Sequence, residues 1–482
     1  MMHRRHMFCG PWNILAIVLT VLALAGCAAV GPDYFPPRME VPAELAGEVK
    51  LTAFDVAVEA DDPARWWTAF DDPVLTEIIE RAVSENQDMK KALARLNEAR
   101  ARRGLRRAEF YPGLDASAAA TRSRSGGAND SREYYSAGFD AGWEIDVFGG
   151  VRRSVAAADA DLEAVEAGLG DVRVSLAAET ALNYVEVRTL QARLKTADEN
   201  LAAQTETSDL VGFRLEAGLT NELAFHQARY QLESTRSQIP ALLAALDAAK
   251  NRLAILTGRP PGAIDDLLAH PQEVLTAPHL ALSGIPADTL RRRPDIRRAE
   301  RELAAQTERI GVASADLYPR FTLSGAIGFE SVDAGDLITA DSRFWHIGPG
   351  VSWKVFDAGA VRRNIDIQSA LQEQYLAAYE QTVLSALEEV KNAMTAYTQD
   401  RIRQESLRQA VDAARSAEAL AREYYLSGMA DFSDVLDAQR AVFSFENQLA
   451  ENRGAVAGDL IRLYKALGGG WTPAGLQSPE AN

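Results

Sequence analysis

Apolar and polar residues alternate strictly in two stretches of this chain. Phe321, Leu323, Gly325, Ile327 and Phe329 interleave with Thr322, Ser324, Ala326, Gly328 and Glu330; Trp345, Ile347, Pro349, Val351, Trp353 and Val355 interleave with His346, Gly348, Gly350, Ser352 and Lys354. A period of two predicts strands with one apolar and one polar face. The same alternation is clear at Phe139, Ala141, Trp143, Ile145 and Val147, and weaker over 114–120. Elsewhere the period lengthens: Val383, Leu387, Val390, Met394 and Tyr397 mark one apolar stripe of a helix. The polar, Ala-rich stretches 151–217 and 361–427 predict helices of about 65 residues, roughly 100 Å long and too long for a compact domain. Gly218 and Gly428 end them as C′ glycines do, and return helices over 221–256 and 431–467 complete two antiparallel hairpins. Shorter helices are predicted over about 88–109 and from Arg293-Pro294-Asp295, where proline and an acid suit a first turn. Tyr111-Pro112 and Tyr318-Pro319 stop them, because proline cannot continue a helix.

These elements come in two copies. Asp88, Ala92, Leu96, Leu105, Ala108, Tyr111 and Pro112 recur 207 positions later as Asp295, Ala299, Leu303, Val312, Ala315, Tyr318 and Pro319. Further along the offset is 210: Trp143, Val151-Arg152-Arg153, Gly218, Ala228, Arg252-Leu253 and Gly258 answer to Trp353, Val361-Arg362-Arg363, Gly428, Ala438, Arg462-Leu463 and Gly468. An offset that changes once, inside a Gly/Ser/Asp-rich stretch, is a duplicated unit with an indel in one surface loop. Each copy reads as helix, strand pair, long helix and return helix.

Strands of about ten residues, aromatic near the ends of the apolar face and joined by polar loops such as 123–131, match the pattern of outer-membrane strands. The alternative is an antiparallel sheet packed on a soluble core. Four strands cannot close a membrane barrel, which needs about eight, and open edges in lipid leave backbone groups unpaired. Self-association is therefore implied.

Composition narrows the function. With 482 residues, 47% hydrophobic and 25% charged, the chain has material for one or more cores. Its net charge of −17 becomes −19 once Arg4 and Arg5 leave with a leader, a poor match to nucleic acid. Those arginines precede an apolar run over 12–25 that ends in Leu24-Ala25-Gly26-Cys27, which looks like a lipoprotein processing site with Cys27 as the acylated residue. A covalent lipid on Cys27 is the one attached group expected, with no other cofactor. Cys9 and Cys27 are the only cysteines, so neither a disulfide framework nor a thiolate metal site is expected. His226, His270, His279 and His346 lack metal-ligand spacing, and no nucleophile elbow, P-loop or dinucleotide fingerprint occurs in a fitting context. No catalytic residue is expected.

Several stretches resemble the outer membrane factors, the TolC/OprM-like exit ducts of tripartite efflux systems, and in particular their NodT-type lipoprotein branch. They are Gly31-Pro32-Asp33-Tyr34, Trp66-Trp67-Thr68-Ala69-Phe70-Asp71-Asp72-Pro73, Trp143-Glu144-Ile145-Asp146-Val147-Phe148-Gly149, Arg292-Arg293-Pro294-Asp295-Ile296 and Asp434-Val435-Leu436-Asp437-Ala438-Gln439-Arg440. The resemblance implies an α+β membrane protein that closes as a homotrimer, with a 12-stranded β-barrel and a 12-helix periplasmic α-barrel. It places the protein in the cell outer membrane, lipid-anchored, as a passive exit duct for drugs, ions or other small molecules. Its partners would be a periplasmic adaptor and an inner-membrane pump. The rival reading is a periplasmic lipoprotein adaptor or scaffold, but adaptors place a single hairpin among small soluble β-domains.

The resemblance also locates a gate. Asp434 and Asp437 lie three apart, on one face of a helix, near the turn at Gly428; in a trimer they would line the periplasmic entrance with six carboxylates. Tyr425 matches a family tyrosine that ties neighbouring helices when the entrance is closed. The plain alternative is that Asp431 and Asp434 cap a helix start. The first copy has Ala224 and Gln227 at the positions of the two aspartates and Asn221 at that of Asp431, so carboxylates in one copy suggest that one hairpin lines the constriction. TolC-like chains can carry an acid at Ala224 and an arginine at Ala430, so the closed-state bridges are expected to differ here, with Glu222 a candidate substitute. Trp66-Trp67 is expected to pack across the helices rather than form a binding patch. The chain thus divides into a leader (1–26), an N-terminal segment (27–75), a first repeat (76–262), a linker (263–290), a second repeat (291–468) and a tail (469–482).

Overall fold

The computed structural model describes residues 29–38, 63–124, 131–276 and 290–471. Cys27 and the leader, His279, part of the 123–131 loop and most of the 469–482 tail lie outside the described residues. In chain order the elements are a 3-10 turn Pro63–Phe70, α1 Pro73–Glu85, α2 Gln87–Ala108, β1 Gly113–Ser123, β2 Arg132–Ile145, α3 Gly150–Glu216, α4 Glu222–Leu256, α5 Pro294–Ala315, β3 Arg320–Ser331, β4 Arg343–Ser352, α6 Ala360–Leu426 and α7 Phe432–Ala466. The two long helices and both return helices fall within a residue of their predicted ends.

Three differences from these expectations and one tolerated proline stand out. Helix α1 was not expected: Asp72 Oδ1 accepts from the Val74 and Leu75 amides at 2.8 and 3.0 Å, and Pro73 sits where its missing N–H costs nothing. Pro240 lies inside α4 without ending it. Strand β4 stops at Ser352, short of Trp353 and Val355; the Trp353 indole instead donates to the Leu317 carbonyl at 3.0 Å. Its counterpart Trp143 donates to Phe110 at 2.9 Å, so the two copies brace helix to strand alike. Strand β2 begins earlier than its alternation and ends at Ile145, which leaves Val147 outside.

The chain forms two compact units. One comprises residues 1–38, 95–166 and 298–381 and holds the sheet, an antiparallel meander in the order β1-β2-β3-β4. Its apolar face is exposed at Phe139, Ile327, Trp345, Ile347 and Val351, and among the described residues both edges are open. Below the strands, Arg153 clasps the 29–38 segment: its guanidinium donates to the carbonyls of Val30 and Gly31 and to Asp33 Oδ1 (2.8 Å), and pairs with Glu308 at 2.9 Å. Gly31 has φ +94°, and a Cβ there would lie 2.5 Å from Gly311 Cα, so only glycine fits. Tyr34 donates to Glu300 at 2.8 Å; burial, then that carboxylate, hold its hydroxyl well above the usual phenol range.

The other unit comprises 39–94, 167–297 and 382–482. Trp66 and Trp67 are buried in it, as packing predicted, and Trp66 stacks on Tyr464 of α7 with ring centroids 5.3 Å apart. Buried Arg293 bonds the Ala466 carbonyl, Asp295 and Glu389. Burial raises the Asp295 pKa, but the Arg293 pairing outweighs it and holds the carboxyl below its usual range. Asp72 also accepts from Tyr184 at 2.6 Å, and Tyr184 and Gln272 in turn accept from buried Arg188. The sequence-quoted stretches are thus mostly clasps between segments far apart in the chain. No described helix is long and apolar enough to cross a membrane.

Candidate functional site

The two hairpin turns are built on one plan. At the first, Gly218 (φ +70°) donates to Leu215 at 2.9 Å and Leu219 to Arg214 at 2.8 Å; at the second, Gly428 (φ +77°) donates to Tyr425 at 3.2 Å and Met429 to Tyr424 at 2.8 Å. This paired closure satisfies the last carbonyls of a helix and requires a left-handed residue, hence glycine. The helices that follow start differently. Asn221 Oδ1 accepts from the Ala224 amide at 2.9 Å, whereas Asp434 reaches back, its carboxylate accepting from the Asp431 amide at 3.2 Å. Asp434 therefore does serve as a cap. It is also exposed to solvent, and Asp437 is 76% exposed, so both carboxylates remain open to a passing ion.

Asp437 has a partner that the spacing of carboxylates did not suggest. Arg440 sits 3.3 Å from it, on the same helix. The Arg440 guanidinium also donates to Gln231 at 2.8 Å, bonds the Tyr230 hydroxyl and lies over the Tyr230 ring. Tyr230 and Arg440 are counterparts in the two copies, 210 residues apart, an equivalence that carries no mark of their contact in the sequence. The result is a bridge from Asp437 on α7 to α4 of the other hairpin, supported by Gln439 donating to Thr207 of α3 at 2.9 Å.

Tyr425 is buried rather than lining an opening. It belongs to an apolar cluster with Val211, Ala224, Ala228, Phe432, Val435 and Leu436, which draws on all four hairpin helices. Its ring lies 5.3 Å from that of Phe432, and Arg214 stands over it at 4.8 Å. Among the described residues the buried Tyr425 hydroxyl has no hydrogen-bond partner. Tyr425 thus ties helices of one chain together through its ring. Ala224, the counterpart of Asp434, is buried in the same cluster, so equivalent positions face different surroundings. Among the described residues no group of three His, Cys, Asp or Glu is placed to hold a metal.

Comparison with known proteins places this architecture. The family model for "Outer membrane efflux protein" matches residues 78–259 and again 285–469, following the two repeats. The chain belongs to the outer membrane efflux protein family. This efflux protein is 31% identical over 470 residues to nodulation protein T of Rhizobium leguminosarum bv. viciae, across 97% of this chain and 95% of that one. It is 32% identical over 463 residues to the cation efflux system protein CusC of Escherichia coli, across 93% of this chain and 97% of the relative. Among solved structures it superposes on the outer-membrane channel OprN with a TM-score of 0.86 at 37% identity, covering 92% of this chain and all of that one. The efflux protein is accordingly an outer-membrane exit duct with a periplasmic helical extension, in a family of channels and not of enzymes. The duct reading stands over the adaptor reading.

Proposed function

We propose that the chain is the outer-membrane component of a tripartite, RND-type efflux system and works as a homotrimer, docked to a periplasmic adaptor and an inner-membrane pump. The observation that carries this reading is the open four-stranded meander with an apolar face. Lipid contains no water to satisfy unpaired backbone groups, so each edge needs a strand from another copy. Three copies supply twelve strands. Leu219, Leu223 and Met429, exposed at the two turns, offer an apolar contact to the adaptor. The names of its relatives range from nodulation to cation efflux, which fits a duct that leaves substrate choice to its pump.

Acylation of Cys27 anchors the chain. Ala29 lies against Gly149, just past the end of β2, and two residues span at most about 7 Å, which fits a lipid at the rim of the barrel. At the second hairpin turn, Asp434 and Asp437 from three copies form a carboxylate collar that favours cations and latches through Arg440. Heat-modifiable migration on gels and extraction only by detergent are the expected results. Recovery of the Cys27→Ala protein as a soluble monomer contradicts the barrel.

A further inference from the structure

The second hairpin holds a polar cluster where the first is apolar. Asp400, Asn452 and Asp459 answer, 210 residues earlier, to Leu190, Leu242 and Ala249, so the fold unit itself requires no charge at these places. A buried acid is costly unless it is paired or neutral. Asp459 of α7 is 4% exposed; Arg462 donates to its Oδ1 at 2.7 Å, while its Oδ2 is buried with no partner among the described residues. Asn452 lies two turns earlier on the same face of α7 and is 1% exposed. Its Nδ2 donates to the carbonyl oxygen and to Oδ1 of Asp400 on α6, both at 3.2 Å, and its own Oδ1 is likewise buried without a partner among the described residues. Asp400 is within hydrogen-bond reach of Asp459.

We infer that Asp400 and Asp459 share one proton, and that this proton fastens α6 to α7, so that the second hairpin loosens when the proton leaves and the first does not. Two carboxylates side by side in a buried place repel each other and do not both ionise readily. With one proton between them, a hydroxyl on Asp459 donates to Asp400, and the oxygen that lacks a partner gains one.

The other groups around the pair leave this arrangement intact. Arg462 on α7 and Arg403 on α6, the latter 3.9 Å from Asp400, are each more than half exposed and spend much of their charge on solvent. Tyr464 is kept neutral by burial and by nearby Tyr397, and Arg401 lies over the Tyr397 ring. Helix α3 meets α7 here through Leu182 and Thr189, neither of which ionises. Burial, opposed by Arg462 and aided by Asp400, holds the Asp459 carboxyl up at about 6. An acid raised on folding contributes stability below its unfolded value, near 3.8, and loses it as pH rises through about 6. The fastening is therefore made in acid and released at neutral pH.

Its consequence, freer movement of the hairpin that carries Asp434 and Asp437, rests on the duct reading; the fastening itself is measured apart from it. Hydrogen exchange of the full-length protein in detergent, at pH 5 and pH 7.5, compares 396–404 and 449–463 with their counterparts 186–194 and 239–253 in the same sample, so the intrinsic effect of pH on exchange cancels. The expected result is a severalfold fall in protection of the second-hairpin segments relative to the first between pH 5 and pH 7.5. Asp459→Asn supplies an amide donor to Asp400, and Asp400→Asn supplies one to Asp459; each should keep the protection at pH 7.5. An equal change in both hairpins, or a fall that persists in Asp459→Asn, overturns the shared proton. Protection restored at pH 7.5 by added calcium and lost in Asp459→Asn overturns it too, because the pair then takes a metal ion instead. Failure of the duct reading shows separately, as a soluble monomer, and leaves the exchange result standing.

Discussion

Gly218 and Gly428 close their helices with the same pair of hydrogen bonds, yet the third residue of the next helix is a buried alanine at one turn and an exposed aspartate at the other. The difference shows what duplication preserves. Turn geometry is set by local backbone bonds and survives copying; the face a residue presents is set by what packs beside it. Within the chain the first turn has the second as its neighbour, so Ala224 is covered, while the Asp434 face is left for whatever lies beyond. A charge is tolerable only there.

The substitution expected to break this comparison most severely is Ala224→Asp, which gives the first turn the residue of the second. It buries a carboxylate among Val211, Phe432 and Val435 and should cost about 3 kcal/mol or more, read as early thermal unfolding of the periplasmic helices. Tyr425→Ala comes next at about 3 kcal/mol, through loss of a buried ring. Tyr425→Phe should change stability by less than about 1 kcal/mol, because the hydroxyl it removes has no partner among the described residues. A larger effect of Tyr425→Phe than of Tyr425→Ala would mean that the hydroxyl, and not the ring, does the tying.

A second contrast between the copies lies at Asp459, whose counterpart is buried Ala249. Burial, above all, pushes the Asp459 carboxyl up to about 6, with Asp400 adding to the rise and Arg462 opposing it. An acid raised in the folded state contributes stability that is present below its unfolded value, near 3.8, and lost as pH rises through about 6. Asp459→Asn should therefore gain about 1–2 kcal/mol at neutral pH and flatten the dependence of Tm between pH 4 and 6. An unchanged pH profile would remove this contrast. The smallest effect on folding is expected from Asp434→Ala, about 0.5–1 kcal/mol, the worth of a helix cap; a loss of several kcal/mol would show that Asp434 is structural first.

Much of this was legible in the sequence because the signals are local. Gly218, Gly428 and Pro294 mark helix ends through their own backbone chemistry, and alternation over 321–329 reports a strand whatever surrounds it. Trp353 and Val355 misled because a period of two continues past the last ladder bond, where the indole turns to Leu317. The clasps were visible only as motifs. Arg153 meets Asp33 and Glu308, and Arg293 meets Glu389, partners about 100 residues or more away that no spacing rule reaches. At the second turn, Asp434 and Asp437 stand out as charges on one face, while Arg440 and Tyr230 become meaningful only once α4 and α7 are side by side.

The central claim is that the carboxylates of the second turn control passage through the duct. Single-channel recording in planar bilayers of the Asp434→Ala/Asp437→Ala protein tests it most directly. The account predicts higher conductance and weaker cation preference than the natural chain; unchanged conductance and selectivity would contradict it and return both residues to capping and bridging within one chain.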